Sequence, residues 1–411
     1  MAATAPNEVI DRGRTLGLDV LKPSARDLEY GLALHAKSVV FDGYGFSPSA
    51  AVDGERLAQA VQEGASDLEL QDLDEDMRMT RYATNPAERA EYLQAWEASG
   101  VTCVFQNAGE EGSEPLRLLK RLARFTYSTD LLREVVAKAV TPDDIVAAKK
   151  QGRRCLYFTG NGVPLTGTAV SAPEELRYIR VFFELGVRMM HVTYNRRNLL
   201  GDGCAEPANG GLSDLGRAAV AELNRVGVIV DVAHSGWRTS LESAKASTKP
   251  MVASHTTCAG LNHHIRAKPD DVIRAIVDGG GLVGICAISH FLGRTGDLAA
   301  LLDHVDYVAK RFGVDHVAIG TDVGYRSRND AAETKKVPAR ARRRTRYEAL
   351  WPEGALLPAA EQARRYPKAG SLAWTNWPLF TVGLVQRGYS DTQIEKILAG
   401  NLLRVARANL A

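Results

Sequence analysis

Short apolar runs alternate with amphipathic segments along most of the chain. Eight runs have the length of buried strands, and nearly all are separated by segments with helical periodicity. They occupy residues 38–42, 101–106, 154–158, 188–193, 228–232, 251–253, 282–287 and 317–320. Consecutive strand–helix units form a parallel sheet, and eight such units can close on themselves. The pattern therefore predicts an α/β fold, a (β/α)8 TIM-type barrel.

The alternative to a barrel is an open, doubly wound parallel sheet. Folds of that kind often carry a glycine-rich dinucleotide-binding turn after the first strand, and no such turn follows residues 38–42. The barrel is therefore favoured. Between the second and third predicted strands the periodicity predicts three helices in succession, at residues 115–125, 130–140 and 142–150.

Three segments fall outside the repeating pattern. Residues 1–36 are predicted to form a polar N-terminal arm with a short helix near residues 26–35, and residues 37–411 a single barrel domain. Insertions are expected at 47–85 and 326–373. The first is acidic and is interpreted as a solvated helix and loop, because its acids lack the glycine-turned spacing of a calcium loop.

The second insertion is basic and contains RARRRTR at residues 340–346. Without aromatic residues between the charges or a known nucleic-acid-binding module, such a run is typical of a solvated insertion. Two alternatives stay open at this point. The insertion could fold over the barrel mouth as a lid, or it could form an oligomer contact.

Composition excludes several classes of protein. Hydrophobic residues make up 45% and charged residues 24% of the chain, and the formal net charge is +2. These values are ordinary for a globular protein and give no reason to expect a nucleic-acid or membrane partner. The five cysteines form no CxxC pair, and no apolar stretch approaches the ~18 residues of a membrane span. The start of the chain has no signal-peptide core, so a cytoplasmic location is expected.

Two histidines occupy equivalent positions after consecutive predicted strands. The runs at 228–232 and 251–253 are each followed by a small residue and then by His234 or His255. In a parallel barrel both would lie at the C-terminal mouth, where active sites form. One such histidine could merely hydrogen-bond at a strand end. Two adjacent neutral imidazoles favour a site for a divalent metal.

Other strand ends supply further candidate site residues. They are Asp42, Tyr44, Phe46, Thr159, Asn161, Tyr194, Asn195 and Asp322, and Arg266 follows in the loop after His255. Each of the main candidates has a plainer alternative. Asp322 could cap a helix or could bind the metal and accept a proton from water. Arg266 could be a surface charge or could bind a substrate carboxylate, and Tyr194 could be core or could donate to an oxyanion.

Three further histidines are given no role in the predicted site. His191 lies within a predicted strand and is interpreted as a core histidine whose hydrogen bonds are satisfied. His263 and His264 are adjacent, so both cannot face the same site, and neither is assigned a role.

Several motifs between residues 188 and 324 occur together and in order. They are GVRMMHVTYNRRNLLGDGC, GLSDLGRAAVAELNRVGVIVDVAHSG, PMVASHTTCAGLNHHIRAKPDD, GGGLVGICAISHF and LDHVDYVAKRFGVDHVAIGTDVG, and the closing GYSDTQIEKILAGNLLRV also fits. Through them the chain resembles the membrane (renal) dipeptidase family of the amidohydrolase superfamily. That resemblance implies a (β/α)8 barrel, a two-zinc site that hydrolyses dipeptides, and a homodimer.

The resemblance also assigns roles to individual positions. His234 and His255 match the two histidines that bind the family's second metal, and Asp322 matches the aspartate that handles the proton. Arg266 matches the arginine that holds the substrate's carboxylate. Tyr194 stands where many members carry a histidine that contacts the scissile carbonyl.

Three of the family's usual metal ligands are replaced in this chain. The first strand ends Asp42-Gly43-Tyr44-Gly45-Phe46, where the family has Asp-Gly-His-Asn-Asp. The third ends Phe158-Thr159-Gly160, where the family has a bridging glutamate. Two metal ions about 4 Å apart need such bridging charge. The sequence therefore predicts one divalent metal per chain instead of two, with zinc first among the candidates, bound by His234, His255 and Asp322.

These observations lead to one leading hypothesis and two alternatives. The leading one is a metal-dependent hydrolase that cleaves a dipeptide or a related small amide with a free carboxylate. Asp322 would act as general base, Tyr194 would assist at the oxyanion, and the substrate would contact Arg266, Tyr44, Thr159 and Asn195. The alternatives keep the barrel: a non-hydrolytic enzyme (lyase, isomerase or decarboxylase) or a metal-free binding protein.

Overall fold

A parallel barrel forms the centre of the molecule. The computed structural model describes residues 6–109, 111–342 and 345–410. Its strands are β1 (Phe41–Gly45), β2 (Cys103–Asn107), β3 (Val136–Ala139), β4 (Arg154–Gly160), β5 (Val187–His191), β6 (Ile229–Asp231), β7 (Val252–Cys258), β8 (Ala267–Lys268), β9 (Leu282–Ile285) and β10 (Val317–Ile319). Eight of them follow one another in the order β1-β2-β4-β5-β6-β7-β9-β10, each parallel to the next. The predicted (β/α)8 architecture is confirmed, with β3 added beside β4 and β8 beside β7.

Helices surround the sheet and cover its outer face. In the N-terminal half they are Glu8–Leu21, Ala25–Lys37, Gly54–Gln62, Asp67–Thr84, Pro86–Ser99, Pro115–Leu131, Pro142–Lys150, Ala172–Glu184 and Asp214–Val226. In the C-terminal half they are Trp237–Ala246, Asp270–Asp278, Ser289–Leu292, Leu298–Phe312, Asp330–Lys336, Thr345–Ala349, Ala359–Arg365, Trp377–Gln386, Asp391–Glu395 and Asn401–Leu410. Within the described ranges, no helix combines the length and apolar character needed to cross a membrane.

Alternate strand residues point to opposite sides of the sheet and form two hydrophobic clusters. One cluster joins Phe41, Phe105, Tyr157, Met189 and Ile229 and fills the barrel interior. It also includes Leu402 and Val405 from the last helix, which therefore packs against the interior of the barrel. The other cluster lies between the sheet and the helices. Both faces of the strands are thus buried, which explains why they read as continuous apolar runs.

A buried carboxylate joins the first and last barrel strands. Asp42 on β1 accepts hydrogen bonds from the Thr321 backbone N–H (2.8 Å), the Thr321 hydroxyl (2.6 Å) and the Trp374 indole (3.1 Å). The backbone N–H of Asp322 donates to the Tyr44 carbonyl at 2.9 Å. These contacts nearly close the barrel between β10 and β1.

Replacing this carboxylate is expected to destabilise the fold. Asp42→Asn would present an amide N–H₂ to groups that are themselves donors, so at least one buried donor would lose its partner. Burial raises the pKa of Asp42 to about 7, so the carboxyl is ionised at about pH 8.5. At that pH we expect a loss of about 3 kcal/mol in the free energy of unfolding, since hydrogen bonds to buried charged groups contribute about 1.5–3 kcal/mol each. Urea denaturation would measure it. Asp143→Asn is the control, because Asp143 is exposed and pairs only at the surface with Arg407, and its effect should stay within about 0.5 kcal/mol.

The helix predicted at residues 130–140 is wrong. The preceding helix extends to Leu131, and the segment Val136–Ala139 forms β3, which is paired in parallel with β4. Val135 and Val136 favour an extended backbone, and pairing with the exposed edge of Arg154–Tyr157 stabilises it. A four-residue strand is too short for its own periodicity to be distinguished from the helical segments on either side.

The predicted N-terminal arm contains two helices, Glu8–Leu21 and Ala25–Lys37. The second packs along the helix Trp377–Gln386 near the end of the chain. His35 anchors it through a contact between its Nδ1 and the Thr381 hydroxyl (2.8 Å) and one between its Nε2 and the Ser99 carbonyl (2.9 Å). The division into an arm and a barrel domain stays a prediction.

The two insertions meet above the barrel mouth. In the first, Glu75 is half-buried and pairs with Arg117 (2.6 Å) and Arg124 (3.3 Å), so its acids are more than a solvated face. Arg340 of the second insertion lies 3.3 Å from Asp67 of the first. Within the basic run at 340–346, Arg343 and Arg344 lie outside the described residues. The contacts of the remaining insertion favour a cover over the mouth, one of the alternatives that the sequence left open.

Candidate functional site

A cavity of about 1250 Å³ opens at the C-terminal ends of the strands. The barrel contributes Tyr44, Asn161, Tyr194, His234 and Asp322 to its wall. The insertions complete the wall with both charged and apolar residues, among them Arg78, Met79, Arg340, Tyr347, Leu350 and Trp351. Polar groups that converge in a large cleft at this end of a parallel barrel mark the site where ligands bind in this architecture.

His234 and His255 face each other at the floor of this cavity. Their Nε2 atoms are 2.9 Å apart. His234 lies three residues beyond β6 and His255 is in β7, so the pairing of neighbouring strands brings the two rings together. Both side chains are buried, and only His234 contributes to the cavity wall. The sequence prediction that these two histidines share a site is consistent with this placement.

Hydrogen bonds on the far side of each ring fix where the protons lie. His234 Nδ1 is 2.7 Å from Asn195 Oδ1, an acceptor, so His234 carries its proton on Nδ1. His255 Nδ1 is 2.7 Å from the Ser254 hydroxyl. That hydroxyl donates to Asp231 and therefore accepts from His255 Nδ1–H. Both Nε2 atoms then carry lone pairs, and the two lone pairs point toward the same place.

Both imidazoles are neutral near pH 7. Burial lowers the pKa of His234 and of His255 well below the usual value, and the nearby positive charge of Arg266 lowers both further. Neutral imidazole with its second nitrogen hydrogen-bonded is the form in which histidine binds metals. The donor set therefore fits a divalent cation.

His191 is a third histidine in the same cluster. Its ligand atom lies within 4.8 Å of those of His234 and His255. Its Nδ1 lies 2.9 Å from the Gly160 carbonyl, and its Nε2 lies 3.2 Å from Asp231 Oδ2 without forming a hydrogen bond. The sequence predicts only a core histidine at this position. The signal for its place in the cluster was that it ends β5, next to β6, where it pairs with Asp231 three residues before His234.

Arg266 lies beside the histidine pair, outside the cavity wall. It is 1% exposed, and its guanidinium donates to the Ala233 carbonyl and to the His255 carbonyl (3.1 Å). A third contact joins its Nη2 to His234 Nε2 at 3.2 Å. Arg266 is therefore no surface charge. In this arrangement Arg266 links the ends of β6 and β7, and it donates a hydrogen bond to the lone pair of His234 Nε2.

The positions of the replaced ligands hold aromatic and hydroxyl groups. The Tyr44 ring stacks on His255 with centroids 3.7 Å apart, and its hydroxyl donates to Asn161 Oδ1 at 2.5 Å. The Phe46 ring lies against Tyr44 at 6.1 Å. The Thr159 hydroxyl donates to the Met189 carbonyl at 3.0 Å, so it is turned into the sheet. None of these three offers a carboxylate or imidazole ligand.

Asp322 and Tyr194 both line the cavity. Asp322 follows β10 and has a left-handed backbone conformation with φ of 58°. Such a conformation is uncommon for a residue other than glycine and marks a sharp turn of the chain at the end of the strand. Burial raises the pKa of its carboxyl to about 7. The Tyr194 ring stacks on His234 with centroids 4.0 Å apart. A carboxyl that titrates near neutrality beside a cleft is suited to proton transfer.

The structure thus divides the predicted site residues into two groups. The predicted residues that line the cavity are Tyr44, Phe46, Asn161, Tyr194, His234 and Asp322. Those that do not line it are Asp42, Thr159, Asn195, His255 and Arg266. Sequence reasoning missed Ser254 and Asp231, which orient His255 from behind. In the sequence, both residues are distinguished only by their positions close to the two histidines, Asp231 in DVAH and Ser254 in ASH.

Known proteins resemble this chain over most of its length. A family model described as membrane dipeptidase (peptidase family M19) matches residues 32–344. The dipeptidase tcpJ of Claviceps purpurea is 26% identical over 299 residues, 72% of this chain and 59% of that protein. The dipeptidase verJ of Clonostachys rogersoniana is 30% identical over 230 residues, 55% of this chain and 50% of that protein. The matches therefore span about half to three-fifths of these relatives.

Solved structures share the fold over nearly the whole chain. An amidohydrolase from Pseudomonas aeruginosa superimposes with a TM-score of 0.65 at 26% identity, covering 92% of this chain and 98% of that one. The probable dipeptidase PvdM from the same organism gives 0.63 at 19% identity, covering 93% and 98%. With the family model covering three-quarters of its residues, the chain belongs to the membrane dipeptidase family, peptidase family M19.

Proposed function

We propose that the protein is a metal-dependent hydrolase that cleaves a dipeptide or a related small amide with a free carboxylate, using one metal ion. The observation that carries the proposal is the pair of His234 and His255 Nε2 atoms, 2.9 Å apart, with both Nδ1 protons committed elsewhere. Two lone pairs at this distance repel each other, and a cation bound to both would offset that repulsion, whereas the Arg266 guanidinium contacts the lone pair of His234. Membership of a family of metallopeptidases supports the same conclusion.

His234 and His255 would hold the ion, with His191 as a further candidate within 4.8 Å; Asp322, the carboxylate ligand that the sequence predicts, lies outside this cluster. A divalent ion at this position would polarise an amide carbonyl and make a water molecule more acidic. Zinc suits an imidazole-rich donor set, although other divalent ions accept the same ligands. Tyr44, Phe46 and Thr159 leave no ligand for a second ion, which supports a single-metal centre.

The chain's own residues would carry the remaining chemistry. Asp322, with a pKa raised to about 7, would accept the proton of the attacking water and deliver it to the departing amine. The Tyr194 hydroxyl would donate to the developing oxyanion. A cation at the histidine pair would also displace the 3.2 Å contact between Arg266 Nη2 and His234. That would free one N–H of the guanidinium for a substrate carboxylate, while its bonds to the Ala233 and His255 carbonyls hold it in place.

The test is a panel of dipeptides and their C-terminal amides incubated with the purified protein. We expect hydrolysis of some free dipeptides, loss of that hydrolysis with a chelator, and its recovery when zinc is restored. Arg266→Lys should raise KM for free dipeptides by at least about tenfold and leave KM for the amides nearly unchanged, because one charge-assisted hydrogen bond to the carboxylate is lost. Equal effects on both substrate types would contradict the carboxylate-binding role of Arg266, and hydrolysis insensitive to chelator would contradict the metal.

A further inference from the structure

A buried arginine lines the cavity far from the histidine pair. Arg121 lies on the helix Pro115–Leu131, is 9% exposed and contributes to the cavity wall. Its Nη1 donates to the Gly109 carbonyl at 2.6 Å. Its buried Nε has no hydrogen-bond partner among residues 6–109, 111–342 and 345–410.

The carboxylate of Glu75 lies near Arg121 and is already used by two other arginines. Glu75 Oε1 accepts from Arg117 Nη2 at 2.6 Å, and Oε2 accepts from Arg124 Nη1 at 3.3 Å. Arg121 Nε stays 3.9 Å from Oε2, too far for a hydrogen bond. A buried cation whose donors lack acceptors is unfavourable, and a guanidinium edge matches the two oxygens of a carboxylate. Arg121 is therefore the member of this arginine cluster with binding capacity left toward the cavity.

Strand order places Arg121 across the mouth from the reaction centre. Its partner Gly109 lies two residues beyond β2, whereas His255 is in β7. Four steps separate β2 from β7 in either direction around the nearly closed order β1-β2-β4-β5-β6-β7-β9-β10. Arg121 and the histidine pair therefore lie on opposite sides of the barrel.

The cavity is also larger than a small amide needs. Pockets for drug-sized ligands are typically about 300–1,000 Å³, and this one is about 1250 Å³. A dipeptide held at the histidine pair would leave the β2 side unfilled. The volume left over and the Arg121 guanidinium would then lie on the same side of the cavity, that of β2.

We propose that Arg121 binds a carboxylate at the end of the substrate remote from the scissile bond, so that the substrate is an amide larger than a dipeptide with an acidic group at that end. The identity of the cleaved bond rests on the proposed hydrolase function. The binding of the acidic group does not depend on cleavage.

Binding of two matched probes tests the assignment. They are N-succinyl-Ala-Phe and N-acetyl-Ala-Phe with a ketomethylene group in place of the Ala-Phe amide, so neither can be cleaved at that bond. They differ in one remote carboxylate. Calorimetry with the wild-type protein should give a Kd at least about tenfold lower for the succinyl probe, as one charge-assisted pair provides. Arg121→Gln should abolish the difference.

Arg124→Gln is the matched control, because Arg124 also pairs with Glu75 yet does not line the cavity. It should keep the wild-type preference. Equal affinity of the wild-type protein for the two probes, or a preference that survives in Arg121→Gln, would overturn the proposal. Preference without hydrolysis of the cleavable succinyl peptide would instead contradict only the proposed hydrolase function.

A second measurement observes the arginine side chains of the wild-type protein directly. In wild-type protein labelled with ¹⁵N at arginine, the succinyl probe should shift one buried Nε–H resonance that the acetyl probe leaves in place. That resonance is assigned by its absence in Arg121→Lys. Identical spectra with the two probes would contradict the assignment.

Discussion

His234→Ala is expected to reduce kcat/KM for the best dipeptide by at least about 10³-fold and to abolish metal binding. The substitution removes one of two imidazole nitrogens that lie 2.9 Å apart, and the remaining histidine cannot retain the ion alone. It also removes the acceptor of the Arg266 Nη2 hydrogen bond. Loss of a metal and its ligand together eliminates both carbonyl polarisation and water activation, which are each worth orders of magnitude.

His191→Asn is the informative companion variant. His191 belongs to the same cluster, and its nitrogens face the Gly160 carbonyl and Asp231. If the site is built on two histidines, this variant should keep its metal and most of its activity, although it should be less stable. Loss of metal equal to that in His234→Ala would show a three-histidine site, and full activity in His234→Ala would contradict the mechanism.

Asp322→Asn is expected to lower kcat by about 10²–10⁴-fold with a small change in KM, the range usual for a general base. The asparagine keeps the size of the side chain, but it cannot accept a proton. Because burial raises the pKa of Asp322 to about 7, the carboxyl is protonated below that pH and ionised above it. Activity of the wild-type protein should therefore rise with pH through about 7 and fall as the solution is made more acidic.

The pH–rate profile of the variant provides the control for this role. In Asp322→Asn the acidic limb near pH 7 should disappear while a low, pH-independent rate remains. An unchanged limb in the variant would assign the titration to another group. Asp42 has a pKa that burial likewise raises to about 7, but it is engaged by Thr321 and Trp374 away from the cavity wall. It is therefore not a substitute base.

The barrel could be predicted from sequence because each of its strands is buried on both faces. Runs such as Leu282–Ile285 and Val317–Ile319 contain no charged or polar side chain, and a helical segment separates them. β3 was missed because its stability comes from pairing with β4, a contact that four residues of local sequence do not encode. The local hydrophobic pattern predicts a strand when both faces of that strand are buried. It does not predict a strand such as β3, whose conformation depends on pairing with a neighbouring strand.

The site was predictable to the extent that it follows from strand ends. His234 and His255 were placed by the strand pattern, and pairing of β6 with β7 brings them together. Whether a side chain turns toward the cavity was not predictable, because Thr159 and Arg266 find acceptors in the Met189 and Ala233 carbonyls behind the wall. The unsatisfied Nε of Arg121 depends on how three arginines share Glu75, which only the packed helices determine.

The central claim is one metal ion held by the histidine pair, and elemental analysis of the purified protein tests it most directly. The wild-type protein should contain about one equivalent of a divalent metal per chain after dialysis, and the His234→Ala/His255→Ala double variant should contain none. Two equivalents in the wild-type protein would mean that ligands other than those replaced at Tyr44, Phe46 and Thr159 complete a binuclear site. No metal, even after incubation with zinc, would contradict the proposed hydrolase and leave a metal-free binding pocket.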